Sequence, residues 1–308
     1  MSDNHSVSDS LLLCLGMGYV ARHFTNSAIM ENREAGFNQV FGTTRAIHPT
    51  DKNEENDRVV LFDSLSTRDL LKRATHLLIS AAPDSLGDPV LNVYGDIIRQ
   101  YAKNFVWVGY LSTTAVYGDH HGMLVTENTP CLPTTERGKY RLRAEQEWLA
   151  LRDLGLPVQI FRLAGIYGSG RGPVAKVLSG KARCIIKPRQ IFSRIHVEDI
   201  CRILEASIDR AENFCGEIFN VCDDFSAPPQ DVIAFAARLL GRKVPDSISY
   251  EDAEMPDMAR SFYSESKRVS NEKMKIALEV ALLYPTYREG LAALVDNAGV
   301  GFVKKIRG

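Results

Sequence analysis

The chain has 308 residues, 45% of them hydrophobic and 24% charged, and a formal net charge of -1 at pH 7. That length supports a substantial core in one or two domains, and a balance this near neutrality argues against nucleic-acid or anionic-membrane partners. The longest apolar stretches, Leu11 to Ala21 and Thr75 to Pro83, fall short of the roughly 18 residues a membrane helix needs, so no membrane association is expected. The polar opening residues carry Asp3 and Asp9 instead of the basic start of a secretory signal, which makes the cytoplasm the default location. Cys14, Cys131, Cys184, Cys201, Cys215 and Cys222 form no CxxC pair and read as reduced, mostly packing thiols.

The first predicted element is an apolar strand, Leu11 to Leu15, that breaks into Gly16, Met17, Gly18, Tyr19, Val20, Ala21 and then a helix. Gly16 allows a tight turn, Gly18 lets the backbone approach a pyrophosphate, and small Ala21 lets the helix pack close to its strand. The helix start then offers free amides and a positive dipole end to an anion. Strands follow at Val40 to Thr43, Val59 to Phe62, Leu77 to Ser80, Phe105 to Leu111 and Val158 to Phe161, each short and apolar as strands buried on both faces are. Asp88 and Pro89 open a helix with Val90, Val93, Tyr94, Ile97 and Ile98 on one face. Pro49 to Asp57 reads as an exposed loop. The alternation predicts an α/β fold, a Rossmann-type doubly wound parallel sheet.

The end of the second strand bears on coenzyme choice, because an acidic residue there would bond the ribose 2'-hydroxyl. The chain has Gly42, Thr43, Thr44, Arg45 instead, which favours NADP over NAD, with Arg45 able to grip a 2'-phosphate or to be a solvated turn residue. Asp63, after the third strand, either accepts a hydrogen bond from the adenine amino group or caps the helix near Ser66. His120 and His121 fit a turn. His196, Glu198 and Asp199 fit a helix start better than a metal set, and no metal is assigned.

Two later segments are more specific: Ser112 to Gly118 (STTAVYG) after the fifth strand, and Tyr140 on a helix continuing through Glu145, Glu147, Trp148 and Leu149. With the glycine loop, Ser80 to Pro83, Arg162 to Gly168 (RLAGIYG), Ile195 to Ile200 (IHVEDI) and Phe219 to Val221, the chain resembles extended and atypical members of the short-chain dehydrogenase/reductase superfamily. That branch includes nucleoside-diphosphate-sugar epimerases and dehydratases. The resemblance implies an NAD(P)-dependent oxidoreductase or epimerase-like isomerase acting on a small hydroxyl or carbonyl substrate, such as a sugar derivative. Thr113 would orient the substrate oxygen and Tyr140 would act as acid or base. Ala81, Ala82, Pro83, Leu163 and Ala164 would join Gly16 to Ala21, Thr44, Arg45 and Asp63 at the coenzyme, with Tyr167, Arg171 and Arg194 facing the substrate. It also implies a dimer through the helices after the fourth and fifth strands. The Rossmann domain would span 1–167, with 195–225 returning to it, while 168–194 and 226–308 build an interleaved substrate lobe.

Departures from the family pattern narrow the chemistry. The lysine expected four residues after Tyr140 is Ala144. A tyrosine with an ordinary pKa of about 10 is about 0.1% ionised at pH 7, and bringing it near neutrality takes about 4 kcal/mol that the missing ammonium would help supply. Arg143, three residues after Tyr140, is expected to lend that charge and a ribose contact, while Lys139 and Arg141 project elsewhere. The Asp-Glu pair of sugar-nucleotide dehydratases is replaced by Thr114 and Ala115, and the epimerase asparagine before the second YG by Gly165, which argues against both an ordinary dehydratase and an ordinary nucleotide-sugar substrate. An alternative from another class is an NAD(P)(H)-binding protein without turnover, acting as a sensor or interaction module.

Overall fold

The computed structural model describes residues 10–30, 37–46 and 58–297. The expectations for the opening residues and for Pro49 to Asp57 lie outside them. Chain order runs β1 (Leu11–Leu15), α1 (Tyr19–Met30), β2 (Gln39–Thr44), β3 (Val59–Leu61), α2 (Leu65–Arg73), β4 (His76–Ile79), α3 (Pro89–Gln100) and β5 (Trp107–Thr113). It continues with β6 (Leu124–Val125), α4 (Glu136–Ala150), β7 (Val158–Leu163), β8 (Gly165–Tyr167), α5 (Pro173–Leu178), β9 (Cys184–Ile186), β10 (Arg194–His196), α6 (Val197–Asp209) and β11 (Ile218–Val221). The last elements are α7 (Pro229–Leu239), β12 (Ser247–Ser249), α8 (Asp257–Phe262), β13 (Arg268–Val269), α9 (Glu272–Leu278) and α10 (Tyr287–Asn297).

Seven strands form one sheet in the order β11-β7-β5-β4-β1-β2-β3. β1 pairs in parallel with β2 (Leu12 opposite Val40) on one side and with β4 (Leu12 opposite His76) on the other. The order reverses at β1, which makes the carboxyl ends of β1 and β4 the switch point where ligands bind in open α/β sheets. All five residues of β1 are buried, as a strand with helices on both faces requires. The fold is thus the Rossmann-like α/β architecture that the sequence predicts.

The chain divides into two compact units. One comprises Met1–Ser112, Lys139–Phe161 and Cys201–Ile218, and the other Thr113–Gly138, Arg162–Ile200 and Phe219–Gly308. The core of the first contains Leu13, Leu15, Leu77, Ile79, Tyr94, Val108, Tyr110, Ala144, Trp148 and Ile160. Asp88 starts α3 as expected, its buried carboxylate accepting the amides of Val90 (2.9 Å) and Leu91 (3.0 Å), while burial raises its pKa against those bonds. The second unit has its own core, with Tyr167, Val174, Ala227, Val232, Ala236, Tyr287, Leu291 and Val295. Among the described residues no helix is long and apolar enough to cross a membrane.

In the first unit the fully buried indole of Trp107 lies across Gly109, where a Cβ would overlap it, and its Nε1 donates to Ser207 Oγ at 3.1 Å. Gly109→Val should therefore lower the unfolding free energy by about 1–3 kcal/mol, the usual cost of overpacking, in urea titration. An unchanged midpoint would mean that the indole does not occupy that space.

Candidate functional site

The site is built outward from the bend between β1 and α1. Gly16 sits at φ +103, and a Cβ there would lie 2.8 Å from the backbone nitrogen of Ala81, so the position admits only glycine. Ser80 and Ala81 both donate their amides to the carbonyl of Leu15, at 3.0 Å each, which draws the end of β4 against the loop. From the other side Thr43, fully buried, accepts the Gly16 amide on Oγ1 at 2.9 Å, and its carbonyl accepts the Met17 amide at 2.8 Å. The Met17 side chain fills the space that a Cβ on Gly42 would take. Val20 and Ala21 are buried under the sheet, and Tyr19 stacks edge-on against His23 at 4.5 Å.

Gly18 is exposed, and a Cβ there would meet only Ser80 Oγ, at 3.3 Å. Bare backbone therefore faces outward at the start of a twelve-residue helix, whose first-turn amides have no acceptors within the helix. The arrangement fits the pyrophosphate of a dinucleotide: the loop is fixed by its neighbours, and among the described residues only Ser80 Oγ stands close to the space above Gly18.

Around this loop, Thr44 turns its hydroxyl to the Ala46 carbonyl (3.0 Å) and Arg45 is exposed beyond β2. Asp63 pairs loosely with Arg68 at 3.7 Å. The cap of α2 is Ser64, whose Oγ accepts the Thr67 amide, so the capping role considered for Asp63 belongs to its neighbour. Ala81, Ala82 and Pro83 follow β4 directly.

The orientation of α4 differs from the expectation. Ala144, Glu145 and Trp148 are all buried, and with Arg141 they form an i, i+3, i+4, i+7 stripe turned toward the sheet. Ser112 Oγ donates to Glu145 Oε1 inside this unit. Arg141, expected to project elsewhere, sends Nη1 to the carbonyl of Leu111 (2.9 Å), the hydroxyl of Tyr110 (3.1 Å) and the carbonyl of Ala81 (3.5 Å). Its guanidinium also lies 5.4 Å from the Tyr110 ring centroid. This cation therefore stands at the carboxyl ends of β4 and β5. Arg143 lies on the exposed side, its Nε 2.8 Å from Glu147 Oε1 in an i,i+4 ion pair. Attention to charges within one turn of Tyr140 missed Arg141; the spacing of Ala144 and Trp148, which sets the helix rotation, carried the signal. Tyr140 itself is half-buried in the second turn of α4.

In the second unit, Thr113 ends β5, and its Oγ1 accepts the Ala115 amide at 3.2 Å, leaving the hydroxyl hydrogen to donate. The segments that carried the resemblance are bonded to one another. Arg162 Nη1 donates to Tyr117 Oη at 2.9 Å, that hydroxyl donates to Asn220 Oδ1 at 2.7 Å, and the Asn220 amide donates to Glu127 at 2.8 Å. Burial pushes the Tyr117 phenol up to about 12 despite the adjoining arginine. Leu163 and Ala164 are buried at the end of β7, with the Ala164 amide on the Val221 carbonyl at 3.0 Å.

Two expected substrate residues are structural instead. Tyr167 is packed in the core of the second unit against Gly290, where a Cβ would overlap its hydroxyl, and burial raises its pKa. Arg194 is buried too, and Nη1 caps the carbonyls of Phe192 and Ala227 at 3.0 Å each. Burial lowers the Arg194 pKa and pushes the Asp223 carboxyl up to about 8. Neither side chain is at a surface, because the strands β8 and β10 that carry them pair with each other inside this unit. Arg171 is exposed, its backbone bridged to Gly168.

The sheet and the glycine loop define a Rossmann-type α/β protein whose loop fits a dinucleotide. Residues 89–222 match the NAD dependent epimerase/dehydratase family. The chain is 48% identical to a functionally unknown conserved protein from Silicibacter pomeroyi DSS, with a TM-score of 0.82 over 94% of this chain and 99% of that one. It is also 32% identical over 136 residues to Protein YeeZ of Escherichia coli (strain K12), a match spanning 44% of this chain and 47% of YeeZ, about half its length. A dTDP-glucose 4,6-dehydratase from Bacillus anthracis str. Ames, solved in complex with NAD, shares the fold at TM-score 0.72 and 18% identity, over 93% of this chain and 96% of that one. Residues 89–222 thus carry a domain of the NAD dependent epimerase/dehydratase family.

The Tyr167 hydroxyl is buried and makes no hydrogen bond among the described residues. Tyr167→Phe should leave stability in urea unchanged or raise it by about 1 kcal/mol, since it removes an unsatisfied polar group. A clear loss of stability would show that the hydroxyl has a partner.

Proposed function

We propose that the chain is a nicotinamide-dependent oxidoreductase or epimerase-like enzyme acting on a small hydroxyl or carbonyl compound of the sugar-derivative type. The observation that carries this reading is Gly16, wedged at positive φ between Thr43 and Ala81, with the bare backbone of Gly18 beside it. When bound, the coenzyme supplies or accepts a hydride. The glycine loop would hold its pyrophosphate and Arg45 the 2'-phosphate of NADP, the form we favour because an arginine, not a carboxylate, directly follows β2. Tyr140 would exchange the proton of the substrate oxygen and Thr113 would hold that oxygen. Arg141, anchored at the ends of β4 and β5, is the better source of positive charge on α4, since Arg143 is engaged with Glu147.

One observation favours the second reading, coenzyme binding without turnover. Position 144, four residues after Tyr140, is an alanine buried in the core of the first unit, so no ammonium stands there beside the phenol.

Arg45→Ala should weaken NADPH by about 1.5–3 kcal/mol, the worth of a charged hydrogen bond, while leaving NADH nearly unchanged in calorimetry. Equal weakening of both removes the argument for NADP. Tyr140→Phe should lower the turnover rate at least about tenfold with coenzyme affinity retained. A full rate in that variant would remove the acid-base role given to Tyr140, while no activity of the parent protein with NADPH across carbonyl compounds and sugar nucleotides would favour the binding module.

A further inference from the structure

We propose that the second unit carries an oxyanion-binding cleft, lined by His121, Lys187 and Arg189, that takes a phosphoryl or carboxylate group of a small molecule. The cleft lies within that unit, and the inference is independent of the coenzyme reading. Its lining also includes Asp119, Gln190 and Ser266.

The first argument is conformational. β9 runs into Lys187, Pro188, Arg189 and Gln190, with the Gln190 amide on the Lys187 carbonyl at 3.2 Å and Arg189 at φ +60. Proline second and a left-handed residue third is the pattern of a type II turn, whose third position calls for glycine. Among the described residues only three other than glycine have positive φ, and two of them, His121 (φ +51) and Arg189, line this cleft. An arginine has no side-chain means of relieving αL crowding, so its presence where glycine would suit the backbone points to use of its guanidinium.

The second argument is that the frame is rigid while the Arg189 side chain is open to solvent. Gln190 is buried and donates Nε2 to the Glu265 carbonyl at 2.6 Å. Ser266 Oγ donates to the Arg189 carbonyl at 2.9 Å and accepts the Ile191 amide at 3.1 Å. Lys187 Nζ donates to the Tyr263 carbonyl and lies 5.0 Å from the Tyr250 ring centroid, which fixes the ammonium and leaves two of its three donors. Arg189 is exposed.

The third argument is charge. Asp119 is the one carboxylate among the lining residues, and its capacity is already taken. Oδ1 accepts the amides of Ser266 (2.8 Å) and His121 (3.1 Å), and Oδ2 lies 3.0 Å from His121 Nδ1. Lys187 and Arg189 therefore outnumber the single carboxylate on the walls, which is already engaged, and a fork plus a point charge suits an oxyanion.

The test is calorimetric titration of the full chain at low ionic strength with inorganic pyrophosphate and, separately, with malonate, using the parent protein and Arg189→Gly, Lys187→Gln and Arg242→Gln variants. Arg189→Gly is the informative one, since glycine suits the left-handed turn: its thermal midpoint should hold or rise while affinity falls at least about tenfold, as expected for loss of a charged hydrogen bond. Lys187→Gln should weaken binding to a similar degree, and Arg242→Gln, on an exposed residue outside the cleft, should not. Saturation by pyrophosphate alone assigns a phosphoryl ligand, and by malonate alone a carboxylate. Pyrophosphate can also settle on the glycine loop, so the assignment rests on the difference between the parent protein and Arg189→Gly, which leaves that loop untouched. No saturation by either anion at tens of millimolar, or undiminished affinity in Arg189→Gly, overturns the proposal.

Discussion

The glycine loop depends on being gripped from both sides. Thr43 takes the amides of Gly16 and Met17 through its hydroxyl and carbonyl, while the amides of Ser80 and Ala81 converge on the Leu15 carbonyl. Because β1 lies between β2 and β4, the two contacts come from its two neighbours in the sheet. The open start of α1 is consequently a fixed feature of the sheet, and a ligand entering there meets amides already in place. That is the sense in which the parallel sheet order determines the site.

The same logic separates positioning from chemistry elsewhere. Tyr117, Arg162 and Asn220 come from three separate segments that share the family's pattern, and their side chains are hydrogen-bonded to one another in a buried network, with Asn220 Nδ2 left without a partner among the described residues. Burying an arginine is tolerable only with such partners. These residues therefore preserve the shape of the second unit, while the groups open to solvent, such as Arg45, Lys187 and Arg189, are where discrimination between ligands can reside.

Much of the fold was legible in the amino-acid order. The strand positions at β1 to β5 and β7 followed from short apolar runs, and α3 from Asp88 and Pro89, because each signal is local, although β3, at the sheet edge, is only partly buried. The rotation of α4 was not legible from charge spacing. Arg141 and Arg143 are both cationic and both near Tyr140, and only the packing of Ala144 and Trp148 decides which of them faces the sheet. Tyr167 and Arg194, which the resemblance placed at the substrate, mislead for a related reason: the pairing of β8 with β10 buries both, and no local pattern shows it.

By itself, then, the sequence determined the α/β alternation, the glycine bend and the absence of a carboxylate after β2, since these depend on residues within a few positions of one another. Tertiary structure alone decided which arginine of α4 reaches the strand ends, that Tyr167 and Arg194 belong to a core, and that residues 121, 187 and 189 line one cleft. Those outcomes depend on contacts between segments distant in the chain, and local pattern carries no information about which face of an element such contacts will bury.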